Sequence, residues 1–104
     1  MVARIWKGWT RADDADAYVE YMTETGVAAL SGTAGNRGVY MLRRLEGDRA
    51  EFVVQSLWDS LESIKAFAGD DIERAVFYPE DERFLVDREW TCTHYEIPVA
   101  EALR

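Results

Sequence analysis

Gly38-Val39-Tyr40-Met41-Leu42-Arg43-Arg44-Leu45, then Glu46-Gly47-Asp48-Arg49, then Ala50-Glu51-Phe52-Val53-Val54-Gln55-Ser56-Leu57-Trp58, is the stretch on which the fold turns. Two runs rich in β-branched and aromatic residues flank four turn-forming ones, which is the signature of a β-hairpin. In the first run Val39, Met41 and Leu45 share one side, and Tyr40 and Leu42 the other. In the second, Phe52, Val54 and Trp58 oppose Val53 and Leu57. Both sides of the hairpin therefore carry large apolar groups. A sheet with one wet side alternates apolar and polar residues instead.

Upstream of the hairpin, Ser31 to Gly38 holds three glycines and Asn36 and reads as a loop. Before it, Ala15, Tyr18, Met22, Gly26, Ala29 and Leu30 recur every three or four residues, one apolar stripe on a helix of about four turns. Thr10 to Asp14 supplies helix-start residues, and Asp13, Asp14 and Asp16 suit the positive end of a helix. Val2 to Trp9 reads as the first strand.

Downstream, Asp59 with Glu62 three residues on forms a capping-box pattern, followed by the apolar face Leu61, Ile64, Phe67 and Ala68 and a stop at Gly69. Asp70 with Glu73 repeats the start signal for a short helix bearing Ile72, Ala75 and Val76. Pro79 opens another turn with Glu80, Asp81 and Glu82, and Phe84, Leu85 and Val86 supply apolar groups beyond it. Arg88 to Ile97 reads as the last strand, stopped by Pro98. The order is β-α-β-β-α-β, an α+β, ferredoxin-like split βαβ arrangement with its second helical region broken into short helices. Residues 1–98 are expected to form one domain, and residues 99–104 a loosely held tail.

Helices on one side of a four-stranded sheet leave its other side open. In the last strand too, Trp90 and Cys92 oppose Tyr95 and Ile97, so both faces are apolar. The expected remedy is a homodimer joined through the open sheet face. Composition agrees with a folded domain: of 104 residues 48% are hydrophobic and 31% charged. The net charge of −8 repels phosphate backbones and anionic lipid, so nucleic acid and membrane are not expected partners. No apolar run approaches the roughly 18 residues of a membrane span. The single cysteine, Cys92, forms no internal disulfide and is expected to stay reduced, which points to a cytoplasmic protein.

Trp58-Asp59-Ser60, Phe67-Ala68-Gly69, Ala75-Val76, Tyr78-Pro79-Glu80-Asp81 and Thr93-His94-Tyr95-Glu96 resemble the antibiotic biosynthesis monooxygenase-like family. The resemblance covers nearly the whole chain and implies the dimeric α+β barrel. Among similar proteins are cofactor-free quinone-forming oxygenases and haem-degrading oxygenases, so fold alone does not choose an activity. The haem branch implies an Asn on the first strand, a Trp after the third and an iron-binding His on the next helical segment. Trp58 matches the Trp. Lys7 and Gly8 stand at the first site and Phe77 near the third, so the Asn and the His are missing.

The candidate site residues follow from side-chain chemistry. His94, the only histidine, is the one side chain that titrates near neutrality untuned, and Glu96 two residues on shares its face. It is the candidate proton acceptor. Trp58 ends a strand where a helix begins and is the candidate ring-stacking wall. Trp6 and Tyr40 on neighbouring strands, with Phe67, Phe77 and Tyr78 from the helical cover, are the candidate substrate contacts. As core residues each of these needs no ligand, and periodicity does not separate the two readings. Arg43 and Arg44 suit either a substrate oxygen or surface pairing with Glu46 and Glu51.

One His and one Cys make no metal-ligand set, and nothing resembles a nucleotide loop or a nucleophile–base pair. The expectation is a cofactor-independent monooxygenase oxidising a small aromatic phenol or hydroquinone with O2, without metal or cofactor. The alternative is a non-catalytic small-molecule-binding or stress-associated dimer, with haem binding or degradation a third reading.

Overall fold

The computed structural model describes residues 1–101. Strand β1 (Val2–Arg11) leads through a short 3-10 turn into helices α1 (Ala15–Glu24) and α2 (Gly26–Ser31). The hairpin β2 (Asn36–Glu46) and β3 (Arg49–Trp58) follows, then helix α3 (Leu61–Ala68), a 3-10 turn over Pro79–Arg83, and strands β4 (Leu85–Arg88) and β5 (Thr93–Glu96). The sheet runs β2-β3-β1-β4, with β5 also paired to β1, and its pairings are antiparallel. This is the α+β, ferredoxin-like βαββαβ order, with its fourth strand in two pieces.

The hairpin is tighter than four turn residues suggest. Glu46 pairs with Arg49, leaving Gly47-Asp48 as a two-residue turn. Gly47 takes φ +62, the conformation that glycine provides without a Cβ penalty at the first position of such a turn. β3 alternates strictly, with Ala50, Phe52, Val54, Ser56 and Trp58 buried under the helices. In β1 the same face carries Arg4, Trp6, Gly8 and Thr10. The core gathers around Trp58, Phe52, Ile64 and Tyr18, all nearly or fully inaccessible. The Trp58 indole donates to Ser56 Oγ at 2.8 Å.

The expected single four-turn helix is broken at Thr25, whose φ −113, ψ −91 lies outside the helical region. Its N–H still bonds back to Tyr21 and Met22 carbonyls, so the chain changes direction without leaving those groups unpaired. The α3 cap is Ser60 rather than Asp59, with Ser63 completing the reciprocal box. The bend leaves Asp59 free to pair with Arg37 at 3.0 Å.

Two further expectations change. No helix forms over residues 70–76; residues 70–78 are a strap of turns and extended backbone. Its hydrogen bonds go sideways: Ala75 N–H to the Trp90 carbonyl, and Cys92 N–H to the Glu73 carbonyl. Tyr78, before Pro79, is extended at φ −111, ψ 153, as the proline ring requires of its neighbour.

The last strand is not continuous from Arg88. Phe84 closes the 3-10 turn and β4 begins at Leu85. Gly8 pairs with Arg88 and Ile5 with Thr93, so only Trp6 and Lys7 of β1 face the four residues Glu89 to Cys92. The extra residues bulge away, which leaves Trp90 64% exposed and Cys92 buried although they share a parity. The tail expected over 99–104 falls partly outside the described residues, which end at Glu101.

The face away from the helices presents Ile5 and Trp9 from β1, Val53 and Leu57 from β3, Tyr40 and Leu42 from β2, and Tyr95 from β5. Tyr40, Leu42 and Tyr95 are 45%, 50% and 55% exposed. No described helix is long and apolar enough to cross a membrane.

Candidate functional site

A cavity lies between the helix-covered face of the sheet and the helices. Its floor is Arg4 and Trp6 of β1 with Val54 and Ser56 of β3. Tyr18, Met22, Gly26 and Leu30 of α1 and α2 form one wall, and Phe67 of α3 another. Ala75 to Tyr78 of the strap, with Asp81 and Cys92, closes it. Strand alternation sets the floor: every second residue of β1 points inward, and these include Arg4 and Trp6. The cavity offers about 60 Å³ to the centres of water-sized molecules. That is room for about four waters, well below the ~300–1,000 Å³ of a drug-sized site. A ring enters only if the strap moves.

Arg4 is the most unusual group in the wall, being 4% exposed. Its guanidinium donates to the Ile72 carbonyl, to the Arg74 carbonyl at 3.1 Å and to His94 Nε2 at 3.0 Å. It also lies 5.9 Å from the centre of the Phe67 ring. The arginine thus ties the strap to the sheet. Burial lowers its pKa, with Cys92 opposing. At the Asp81 end, the carboxylate is also 4% exposed and accepts from the Tyr21 hydroxyl at 2.7 Å and the Tyr78 N–H at 2.8 Å. Burial, then the neighbouring Asp81 charge, holds the Tyr18 phenol above its usual range. Burial also raises the Cys92 thiol, so this sulfur stays protonated beside Arg4.

The structure brings together four of the expected contacts. Trp6, Phe67, Phe77 and Tyr78 line the cavity. The Trp6 indole packs edge-on to Phe77, with ring centres 6.0 Å apart, and donates to the Glu89 carbonyl at 2.7 Å, inside the break in the fourth strand.

Tyr40 does not join them. It pairs with Gln55, which sets it on the open face of the sheet, opposite Trp6. Trp58 sits outside the wall, fully buried behind it, its ring centre 6.5 Å from that of Phe67. His94 also stands outside, reaching the cavity only through Arg4. Since Arg4 donates, Nε2 is the unprotonated nitrogen and its lone pair is already engaged. Burial first, then the Arg4 charge, lowers the His94 pKa, with Glu73 pulling the other way. The carboxylate acting on the ring is therefore Glu73, from the strap, rather than Glu96. Arg43 and Arg44 lie outside the cavity, pairing with Asp16 at 2.7 Å and with Glu46 and Glu51 at 3.0 Å each.

Sequence reasoning missed Arg4, Tyr18, Asp81 and Cys92 as cavity residues. Arg4 carried a signal, since it has the parity of Trp6 in a short apolar strand. Asp81 read as a helix cap, which it also is.

The residues present do not fit a haem. The wall holds no histidine, its one thiol is kept protonated, and the cavity is far too small for a porphyrin. Among the described residues no three His, Cys, Asp or Glu side chains cluster as metal ligands.

Comparison with solved structures defines the class. A putative antibiotic biosynthesis monooxygenase from Bacillus cereus superposes with TM-score 0.69 at 16% identity, over 100% of this chain and 97% of that one. The haem-degrader MhuD from Mycobacterium tuberculosis, solved with two haems in its active site, gives TM-score 0.60 at 19% identity, over 98% and 100%. An uncharacterised NIPSNAP domain protein from Burkholderia xenovorans gives 0.62 at 15%, over 100% of both chains. The chain therefore has the fold of the antibiotic biosynthesis monooxygenase-like proteins, as the sequence resemblance implied. At such identities the likeness is one of fold. No family model and no curated protein matches the sequence.

Proposed function

We propose that the chain is a cofactor-independent monooxygenase that oxidises a small hydroxy-aromatic with O2, acting as a homodimer joined through the open sheet face. The observation that carries this reading is an aromatic cavity beneath the strap with two buried charged residues in its wall, Arg4 and Asp81. An electron-rich ring needs little more than deprotonation, orientation and a dry site to react with O2.

Asp81, in the cavity wall, accepts the phenolic proton, and the buried Arg4 charge favours the anion that results. The phenolate passes an electron to O2, and the radical pair joins to form a ring C–O bond. The O–O bond then breaks and water leaves. A phenol and O2 give a quinone and water, so all the electrons come from the substrate. Trp6 and Phe77 hold the ring, Phe67 flanks it with Trp58 behind, and Tyr78 stands on the strap. His94 is assigned a positioning role, through Arg4. Its engaged lone pair and its place outside the cavity wall argue against its acting as the base itself.

The test is O2 consumption above the buffer rate with a panel of phenols and naphthols, without added metal or flavin. Asp81→Asn is expected to cut the rate about a hundredfold. Light scattering is expected to give about twice the 11.9 kDa chain mass. A monomer mass retires the dimer. The cavity's small volume favours a second reading, a non-catalytic binder of small molecules. Phenols that bind without O2 uptake would establish it.

A further inference from the structure

We propose that Arg4 is an anion receptor, and that the molecule this cavity takes is a single-ring aromatic oxyanion, a carboxylate or phenolate set against the guanidinium. The inference rests on reading the cavity as a site for a small aromatic and names the charge that molecule carries.

Among the described residues, most of the other arginines meet carboxylates, and the exception, Arg74, is exposed to solvent. Arg37 meets Asp59, Arg43 meets Asp16, Arg44 meets Glu46 and Glu51, and Arg88 meets Glu82. Arg4, the most deeply buried of these, has carbonyl oxygens and a neutral imidazole instead. A buried cation without an ionised partner is costly, and an incoming anion removes that cost. The guanidinium has five N–H groups, and the three acceptors occupy three of them. Two remain for an oxyanion, whose charge-assisted bonds are roughly twice as strong as those to a carbonyl.

The surroundings select the rest of the molecule. Phe67 and Trp6 flank the guanidinium on the cavity floor and wall, so a flat ring bearing the anion packs against aromatic surface. Asp81, at the part of the wall built from Tyr18, Tyr21 and Tyr78, repels a second anionic group and accepts from a hydroxyl. The net charge of −8 does not oppose this. Exposed charges are screened within about 8–10 Å in physiological salt, whereas a buried guanidinium acts at contact.

The experiment is calorimetric titration of the wild-type protein with benzoate and with benzamide, which match in shape and differ in charge. Benzoate is expected to bind at least about tenfold tighter, a difference of about 1.4 kcal/mol. Arg4→Met is expected to erase that preference, and Arg4→Lys to keep part of it, since an ammonium retains the charge without the fork. Circular dichroism of each variant checks that the strap's loss of its tie has not unfolded the domain. If Arg4→Met does unfold, the wild-type ratio and Arg4→Lys decide. Equal wild-type affinities overturn the anion inference and leave the aromatic cavity standing. A preference that survives Arg4→Met, or is unchanged in Arg4→Lys, overturns the role of Arg4. Absence of heat with either probe overturns both the inference and the reading of the cavity beneath it.

Discussion

β1 has two flanks, and they are built differently. On one side it pairs with β3 residue for residue from Val2–Trp58 to Arg11–Arg49 without a register shift. On the other it meets two short strands, β4 and β5, with four residues looped out against Trp6 and Lys7. The regular flank satisfies every rung of its ladder and packs Phe52 and Trp58 beneath it. The broken flank opens backbone groups to other partners. The Glu89 carbonyl takes the Trp6 indole, and the Trp90 carbonyl and Cys92 N–H take the strap. The cavity's strap and the group that ties it down both gather at this break. A sheet that must hold a site as well as a core gives up ladder bonds where the site is needed, which is where bulges concentrate.

If that division of labour holds, the largest stability loss comes from the regular flank. Trp58→Ala removes a fully buried indole and leaves Ser56 Oγ without its donor. A loss of about 3–5 kcal/mol is expected from chemical denaturation, a large share of the ~5–15 kcal/mol that such a domain has. A loss below about 1 kcal/mol would mean that Trp58 is poorly packed and belongs with the cavity after all. Gly8→Ala tests the other flank. A Cβ there would lie 2.3 Å from Trp6 Cη2 and 2.8 Å from Cζ2, so the indole must turn and release the Glu89 carbonyl. About 1–3 kcal/mol is expected, with the damage concentrated at the break. Hydrogen exchange at the Ala75 and Cys92 amides, whose bonds join the strap to the break, should speed up more than exchange along β3. Uniform acceleration would show that the two flanks form one cooperative unit.

The sequence discloses the regular flank and hides the broken one for a physical reason. Alternation in Ala50 to Trp58 is a local property, fixed by which side of a pleated strand each residue takes, so the hairpin and its buried face follow directly. The split of the last strand depends on hydrogen bonds from a strap some fifteen residues away, as Ala75 to Trp90 shows, and no local pattern encodes them. The sequence groups Tyr40 with Trp6 because it does not carry the register. Pairing Tyr40 with Gln55 and Trp6 with Val54 puts the two on opposite faces, and a one-residue shift would have reversed that. Arg4 escaped because a charge within a strand ordinarily marks the solvent side. Elimination among titratable types singles out His94, which locates a residue in the composition but not in space. In the structure it supports Arg4 from outside the wall.

The smallest expected effect concerns that contact, and its sign is fixed. In the fold the His94 pKa lies below its ordinary value of about 6.5, because burial and Arg4 both disfavour the imidazolium. The unfolded chain therefore binds the proton more readily than the folded one. Stability from this residue is complete above about pH 6.5 and is lost as pH falls through that value toward the folded pKa. The interval from about pH 7 to 5 brackets the ordinary range of a histidine, and the chain has one. Thermal melting across that interval at fixed salt should show wild-type stability declining on acidification. His94→Gln keeps a neutral acceptor for Arg4 and removes the titration, so it should match wild type at the upper end and flatten the slope. A wild type that gains stability on acidification would mean that Glu73 outweighs Arg4 and that the imidazole is held as a cation. The guanidinium would then point elsewhere, and the strap's tie to the broken flank would rest on Ala75 and Cys92 alone.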